Sequence, residues 1–304
     1  MKLPYQQIIT IESPDPYDFT LTLQEFRQYP LDVTERVIGG ALLRGFRLPD
    51  DTPVLTVIRQ DDSDRLSADV YARQQVEESE VVPHIRHTLN LDLDLKHWYE
   101  AIDADDPMHP IIEGLYGLRP GAKPTVFESL VTAILEQQLN VRFACTLETR
   151  LIEKYGTKLT CDQGVVWLFP TPEALASLGI DELRELQLSR AKADYVIGLA
   201  KQITDGEIDP EAWHELDDAS LMDRLTEIRG VGQWTAEYVA MIGYRRFNHA
   251  PAADIGLRNA VTKLTAADEQ LPEETTRAFM HRWDEYKGLA TVYIWHAYAA
   301  GMIK

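Results

Sequence analysis

The chain has 304 residues, 45% hydrophobic and 26% charged, enough to bury one large core or two, which excludes a disordered or fibrous protein. Its 49 acidic residues against 30 basic ones give a formal net charge of −19, which fits a soluble, monomeric, cytoplasmic protein and, taken alone, argues against a polyanionic partner. Two cysteines, Cys145 and Cys161, exclude a disulfide framework and a four-cysteine metal or iron–sulfur site, and neither an apolar signal core nor an 18-residue apolar run occurs.

Residues 1–95 read as a small mixed α/β domain. Gln6–Ile11, Arg36–Phe46, Val54–Arg59 and Leu66–Tyr71 are β-rich runs separated by Pro, Asp and Gly. Phe19–Tyr29 has the spacing of an amphipathic helix with Leu23 and Phe26 inward, and a second helix is expected from Gln74 to Leu89. The segment LNLDLDL at 89–95 alternates strictly and suits either a closing strand or the start of a helix.

From residue 96 to 304 the pattern is helical throughout, so the fold class is α+β. The prolines at 107, 110, 120 and 124 make 101–124 the expected connection between the two domains. Thr125 and Glu128 have the spacing of a capping box, and apolar positions 127, 130, 131, 134 and 135 follow on one helical face. Asn140, Thr171 (followed by Pro172) and Ser189 are the next caps; the helices behind Asn140 and Ser189 end at Gly156 and before Gly206.

Residues 225–261 carry the densest information. Leu225, Ile228 and Val231 are apolar, Gly230 and Gly232 bracket Val231, and a helix then runs from Gln233 to about Gly243. This is helix, tight turn, helix over 225–243. Two glycines let the backbone turn sharply and come close to another surface. Such a turn either packs two helices together or presents amides at a positive helix end to a phosphate. Asp254, in the loop 247–256, precedes Ile255-Gly-Leu-Arg258 and is either a helix N-cap or a reactive carboxylate. Trp234 and Tyr238 lie four apart on one helical face, as core aromatics or as the lining of a pocket.

The spacing h-x-x-h-x-G-h-G-x-x-T-A, followed by Pro251-x-x-Asp254, resembles the helix-hairpin-helix (HhH-GPD) DNA glycosylase superfamily, and within it the bacterial 3-methyladenine glycosylase II branch. The likeness also includes DDPMHPIIEGLYGLRPG at 105–121, FESLVTAILEQQLNV at 127–141, FPTPEALASLGIDELRELQLSRAKADYV at 169–196 and RWDEYKGLATVYIW at 282–295. It spans about residues 95–300 strongly and the N-terminal domain more weakly, through PYDFTLTLQEF at 16–26. It implies an all-α glycosylase core of two helical subdomains behind the N-terminal α/β domain.

That resemblance implies a monofunctional enzyme of base excision repair that flips alkylated purines out of double-stranded DNA and hydrolyses the N-glycosidic bond. Asp254 would be the catalytic carboxylate, and Trp234, Tyr238 and Trp295 the base pocket, attracting a cationic purine through their π-faces. Gln138 would fill the gap in the stack, with Gln137 and Leu139 as alternatives, and Gly230, Val231, Gly232 and Thr235 would meet the DNA. Trp234 stands where glycosylases that also nick the strand carry a lysine, so no lyase activity is expected. No cofactor is required, apart from a sodium or potassium ion implied on the carbonyls of Thr226, Ile228 and Val231. The protein would be a cytoplasmic, nucleoid-associated monomer. Rival readings are a non-catalytic lesion-binding module and a glycosylase for other damaged purines. Arg229 replaces a common proline, Ile255 an occasional aromatic, and WDEYKG at 283–288 is more acidic than usual.

The negative charge is unevenly spread. Residues 228–263 carry five basic side chains against two acidic ones, Glu237 and Asp254. A small footprint anchored by backbone amides is therefore expected, with weak non-specific binding that fades quickly with salt.

Overall fold

In the computed structural model, which describes residues 1–26, 32–62 and 64–303, the β-rich runs form a five-stranded antiparallel sheet. Its strands are β1 (Tyr5–Glu12), β2 (Glu35–Ile38), β3 (Ala41–Arg47), β4 (Pro53–Asp62) and β5 (Arg65–Tyr71), in the order β1-β5-β4-β3-β2. The single run expected over 36–46 is two strands. Gly39 and Gly40 both adopt positive φ, 58° and 83°, which a two-residue hairpin requires, and Ile38 pairs with Ala41 across the turn. Successive residues of the central strands serve opposite faces. Leu42, Val54 and Ile58 pack under α1 (Phe19–Glu25) and α2 (Glu78–Thr88), while Leu43, Leu55 and Val57 pack on the other side. Leu23 and Phe26 are inward as expected, and the end of the helix foreseen to Tyr29 lies outside the described residues.

The segment 89–95 is not a closing strand but a turn that leads into a helix start: Asp94 accepts from the His97 amide (3.0 Å) and caps α3 (Leu95–Glu100). Its leucines alternate because they plug a seam: Leu89 and Leu91 belong to the sheet core, Leu95 to a helical core. The segment 101–124 includes α4 (His109–Gly114) and buries Met108, Ile111, Ile112, Leu115 and Leu118 in that same helical core. Buried Arg119 holds the seam, donating to the carbonyls of Asn90 (2.6 Å), Leu93 (2.7 Å) and Pro16 (3.2 Å).

The remaining helices are α5 (Val126–Glu136), α6 (Val141–Tyr155), α7 (Pro172–Ala176), α8 (Ile180–Glu185), α9 (Arg190–Thr204), α10 (Asp218–Glu227), α11 (Gln233–Ile242), α12 (Ile255–Leu264), α13 (Glu273–Met280) and α14 (Lys287–Ala299). Thr125, Asn140, Thr171 and Ser189 all cap as expected. The helices form two apolar clusters, one around α5 to α11 and one around α3, α4 and α12 to α14. Helix α11 joins them: Val239 and Ala240 belong to the first cluster, Met241 to the second, and half-buried Tyr238 packs against both. No helix among the described residues is long and apolar enough to cross a membrane.

The expectation of an all-α core is corrected by a hairpin, β6 (Thr157–Thr160) and β7 (Val165–Leu168), between α6 and α7. Leu159, Val166 and Leu168 cover the sheet face that carries Leu43, Leu55 and Val57. The hairpin runs are only four residues long, so periodicity could not separate them from helix ends.

Charges also cross the joint between sheet and helices. Arg44, 1% exposed, contacts Glu35 and Glu128, and Lys123 reaches Asp32 (3.3 Å), Glu128 (3.8 Å) and Glu148 (3.8 Å). Thr125 accepts from the Glu128 amide (3.1 Å), but the Glu128 side chain turns to these cations, so the expected capping box is half formed. Burial raises the Glu35 carboxyl to about 7 even beside Arg44. Replacing Arg44 by leucine leaves Glu35 buried without its paired cation and Glu128 with Lys123 alone. It is expected to cost about 3–5 kcal/mol in urea unfolding; a loss below about 1 kcal/mol, typical of an exposed pair, would show that the network does not hold the joint.

Candidate active site

Helix α10 ends at Glu227, and the Val231 amide closes the turn onto the Ile228 carbonyl at 3.0 Å. Gly230 has φ +94° and lies against the Tyr195 ring, where an added Cβ would stand 2.4 Å from Cγ. Gly232 is the N-cap of α11 and faces open space. The amides of Gly232, Gln233, Trp234 and Thr235 have no carbonyl four residues behind them within the helix, so they form a donor cluster at its positive end. Two side chains expected to meet DNA point inward instead. Val231 is 5% exposed, its amide already spent on the turn, and buried Thr235 accepts at Oγ1 from Gln137 Nε2 (2.9 Å). The same Gln137 nitrogen donates to the Gly230 carbonyl (2.8 Å) and so fixes the turn to the end of α5.

Of the three candidates for filling the stack, Gln137 is therefore engaged and Leu139 packs against the first helical cluster. Gln138 is exposed and adopts φ +56°, which carries it off the end of α5 toward solvent. Lys192 caps the same helix end, donating to the carbonyls of Leu135 (2.6 Å) and Gln137 (2.7 Å); burial lowers its ammonium pKa to about 8.

Trp234, in the first turn of α11, stacks on Tyr238 one turn further along, with centroids 5.5 Å apart and planes 17° apart. Tyr238 in turn lies 6.4 Å from Trp295 of α14. Asp254 stands at the indole edges of this trio. Its carboxylate accepts from the Leu257 amide (2.7 Å), so it is the N-cap of α12. Burial raises its pKa above the ordinary aspartate value, and hydrogen bonds from Leu257, Trp295, Trp234 and Gly256 pull it part of the way back. The position suits both roles left open by the sequence: a capped carboxylate that also faces the aromatic trio. Beside it, Ile255 is 64% exposed.

The basic side chains of 228–263 mostly have partners within the protein, although Arg229 is itself exposed. Arg229 pairs with Asp194 (2.6 Å) and covers the Tyr195 ring, Arg246 pairs with Asp218 (2.7 Å), and Arg258 donates to the Leu271 carbonyl (2.8 Å). Lys263 lies over Tyr298. Trp283 of WDEYKG is a core residue whose Nε1 donates to Asp106 (3.2 Å). Among the described residues, no cluster of His, Cys, Asp or Glu could hold a metal ion.

A cleft extends from Tyr238 and Trp295 toward the N-terminal domain, reaching Glu25, Phe26 and His296. His296 Nε2 meets Glu25 Oε1 at 2.7 Å; burial opposes charging of the imidazole, but Glu25 lifts its pKa above the ordinary value. Neither residue was singled out in the sequence, because Glu25 ends a helix of another domain and reaches the cleft only through the fold.

Glu136, the last residue of α5, was missed as well, although it is the one charge following the apolar run TAIL. It is hydrogen-bonded to Tyr238, and burial raises its carboxyl to about 8, with Glu148 adding and Lys123 opposing. The folded protein thus holds this proton more tightly than the unfolded chain, whose glutamate titrates near 4.5. The stability it contributes is fully present below that value and is lost as pH rises through about 8. Glu136→Gln should therefore stabilise the protein by up to about 5 kcal/mol near pH 9 and by about 1 kcal/mol near pH 5.5. Urea unfolding at the two pH values checks this, and an equal difference at both would refute it.

The chain is similar to known proteins. Residues 131–285 match the HhH-GPD superfamily base excision DNA repair proteins, and residues 9–123 match the AlkA N-terminal domain. The DNA-3-methyladenine glycosylase of Bacillus subtilis is 30% identical over 222 residues, 73% of this chain and 73% of that protein. DNA-3-methyladenine glycosylase 2 of Escherichia coli is 27% identical over 194 residues, 61% of this chain and 65% of that protein. The solved 3-methyladenine DNA-glycosylase from Archaeoglobus fulgidus superposes with a TM-score of 0.84 at 25% identity, over 95% of this chain and 98% of that one. This chain belongs to the HhH-GPD superfamily of base excision DNA repair proteins.

Proposed function

We propose that the protein is a monomeric, monofunctional DNA glycosylase that removes alkylated purines from double-stranded DNA by hydrolysis. The observation that carries this reading is Asp254, a half-buried carboxylate beside the indoles of Trp234 and Trp295. Breaking the N-glycosidic bond leaves positive charge on the sugar, and a fixed, partly desolvated carboxylate lowers that barrier and orients water. The extruded base lies against Trp234, Tyr238 and Trp295, where an alkylated, cationic purine is attracted by the aromatic faces. A backbone phosphate sits on the amides from Gly232 to Thr235, and Gln138 occupies the vacated stack.

The carbonyls of Thr226, Ile228 and Val231 supply hard oxygen donors of the kind that suit sodium or potassium, although Ile228 also accepts the Val231 amide. An ion there would bridge the turn to the phosphate, and bond cleavage does not depend on it. Strand cleavage requires an amine that attacks the sugar. Trp234 offers none, and Lys192 is tied to the end of α5 by two carbonyls.

The test is a duplex carrying N3- or N7-methylpurines, assayed for abasic sites with and without alkali. Base release with strand breaks only after alkali is expected, and borohydride should trap no covalent complex. Asp254→Asn should lose about 10²–10³-fold in rate. No release from any alkylated duplex would refute the function, full activity in Asp254→Asn the assigned carboxylate, and a trapped complex the hydrolytic chemistry.

Because the nearby cations are already paired with acidic or carbonyl groups of the protein, few phosphate charges are neutralised by side chains. The log of affinity should then fall with log salt at a slope no steeper than about −3. This reverses the expected quick fading: binding is weak but comparatively tolerant of salt. A slope near −6 or steeper in fluorescence anisotropy would reveal a cationic footprint instead.

A further inference from the structure

The aromatic trio accounts for stacking but not for how one purine is told from another. Trp295 has its Nε1 edge at Asp254 and also lines the cleft that ends on Glu25 and His296. A purine with its glycosidic nitrogen near Asp254 therefore directs the opposite edge, N1 and the 6-substituent, into that cleft. Among the charged groups lining the cleft, Glu35 is taken by Arg44 and Lys123 by Asp32. Glu25 and His296 remain as a pair. His296 is 5% exposed and follows Trp295 directly in α14, while the Glu25 side chain is 19% exposed, so both are shielded but reachable from the cleft.

We propose that Glu25 and His296 form the selectivity end of the base pocket, where the Glu25 carboxylate accepts a hydrogen bond from an N–H on the Watson–Crick edge of the extruded purine. This rests on the glycosylase reading above. A carboxylate can accept at both oxygens, and His296 takes Oε1 at 2.7 Å, which fixes the orientation of the other. 3-Methyladenine offers its 6-amino N–H and 7-methylguanine its N1–H. 1,N6-Ethenoadenine offers no N–H on that edge and turns the C–H groups of its etheno bridge and the N6 lone pair toward the carboxylate, which then stays buried without a donor. His296 is a positioning residue, and Glu25 makes the contact.

The experiment compares release of 3-methyladenine and of 1,N6-ethenoadenine from duplexes by the full-length protein and by Glu25→Gln, His296→Ala and His296→Gln. The wild type should favour 3-methyladenine. Glu25→Gln, which keeps shape but adds a donor, should shift the kcat/KM ratio toward ethenoadenine by roughly tenfold or more. His296→Ala should shift it in the same direction, and His296→Gln, which can still donate to Glu25, should restore it. Free 3-methyladenine, titrated by quenching of tryptophan emission, should bind Glu25→Gln more weakly than wild type, which checks the contact without turnover. Base release by wild type with ratios and free-base binding unchanged in Glu25→Gln and His296→Ala overturns this proposal alone. No base release from either duplex or from any other alkylated duplex overturns the glycosylase reading and the proposal with it.

Discussion

Helix α5 is buried along ten of its eleven residues, from Val126 to Leu135, and its polar groups can only be satisfied by what surrounds it. Near its start, Glu128 reaches Arg44 of the sheet and Lys123 of the preceding segment. In its middle, Thr132 donates to Glu148 of α6 at 2.6 Å. Near its end, Glu136 meets Tyr238, and Gln137 donates to the hairpin turn. One immobile element therefore sets sheet, aromatic trio and turn relative to each other. Few single displacements of α5 are possible without stranding a buried charge or amide, which keeps the donor cluster in register with the aromatic trio.

The sequence was most legible where chemistry is local. Caps such as Asn140 and Ser189, the paired glycines of the hairpin and the four-residue spacing of Trp234 and Tyr238 depend on neighbours a turn away, and the structure places each accordingly. It was least legible where a residue's partner is distant. Glu128 has the spacing of a capping residue, yet a buried arginine 84 positions earlier draws its side chain away. Thr235 and Val231 sit in the right motif but turn inward, because a conserved-looking spacing gives position along the helix and not which face is already occupied. The β6–β7 hairpin and the Glu25–His296 pair were hidden for the same reason: each exists only because the N-terminal sheet packs against the helical core.

The overall charge of −19 and a DNA-binding fold are reconciled by where the charges end. A cationic face would have to be built from unpaired side chains, whereas Arg229 and Arg246 are paired with Asp194 and Asp218 and Arg258 caps the Leu271 carbonyl. Backbone amides at the start of α11 carry partial charge that neither titrates nor needs a counter-residue. On the proposed reading such donors would hold one phosphate in one place, which suits an enzyme that must position a single nucleotide more than it must hold a long stretch of duplex.

Two carboxyl groups then divide the electrostatics of the pocket. Asp254 receives hydrogen bonds from Leu257, Gly256 and two indoles, all of which favour its ionised form against burial. Glu136 has Tyr238 as its hydrogen-bond partner and lies near the negative charge of Glu148, so burial prevails and it keeps its proton to about pH 8. If both were ionised, each would raise the other, and the charge would be shared between a site at the sugar and one behind the ring of Tyr238. With Glu136 neutral, the charge resides on Asp254, the carboxylate proposed above to face the sugar as the bond breaks. The separation needs no metal or lysine in the pocket. It follows from giving one carboxyl several donors and the other almost none.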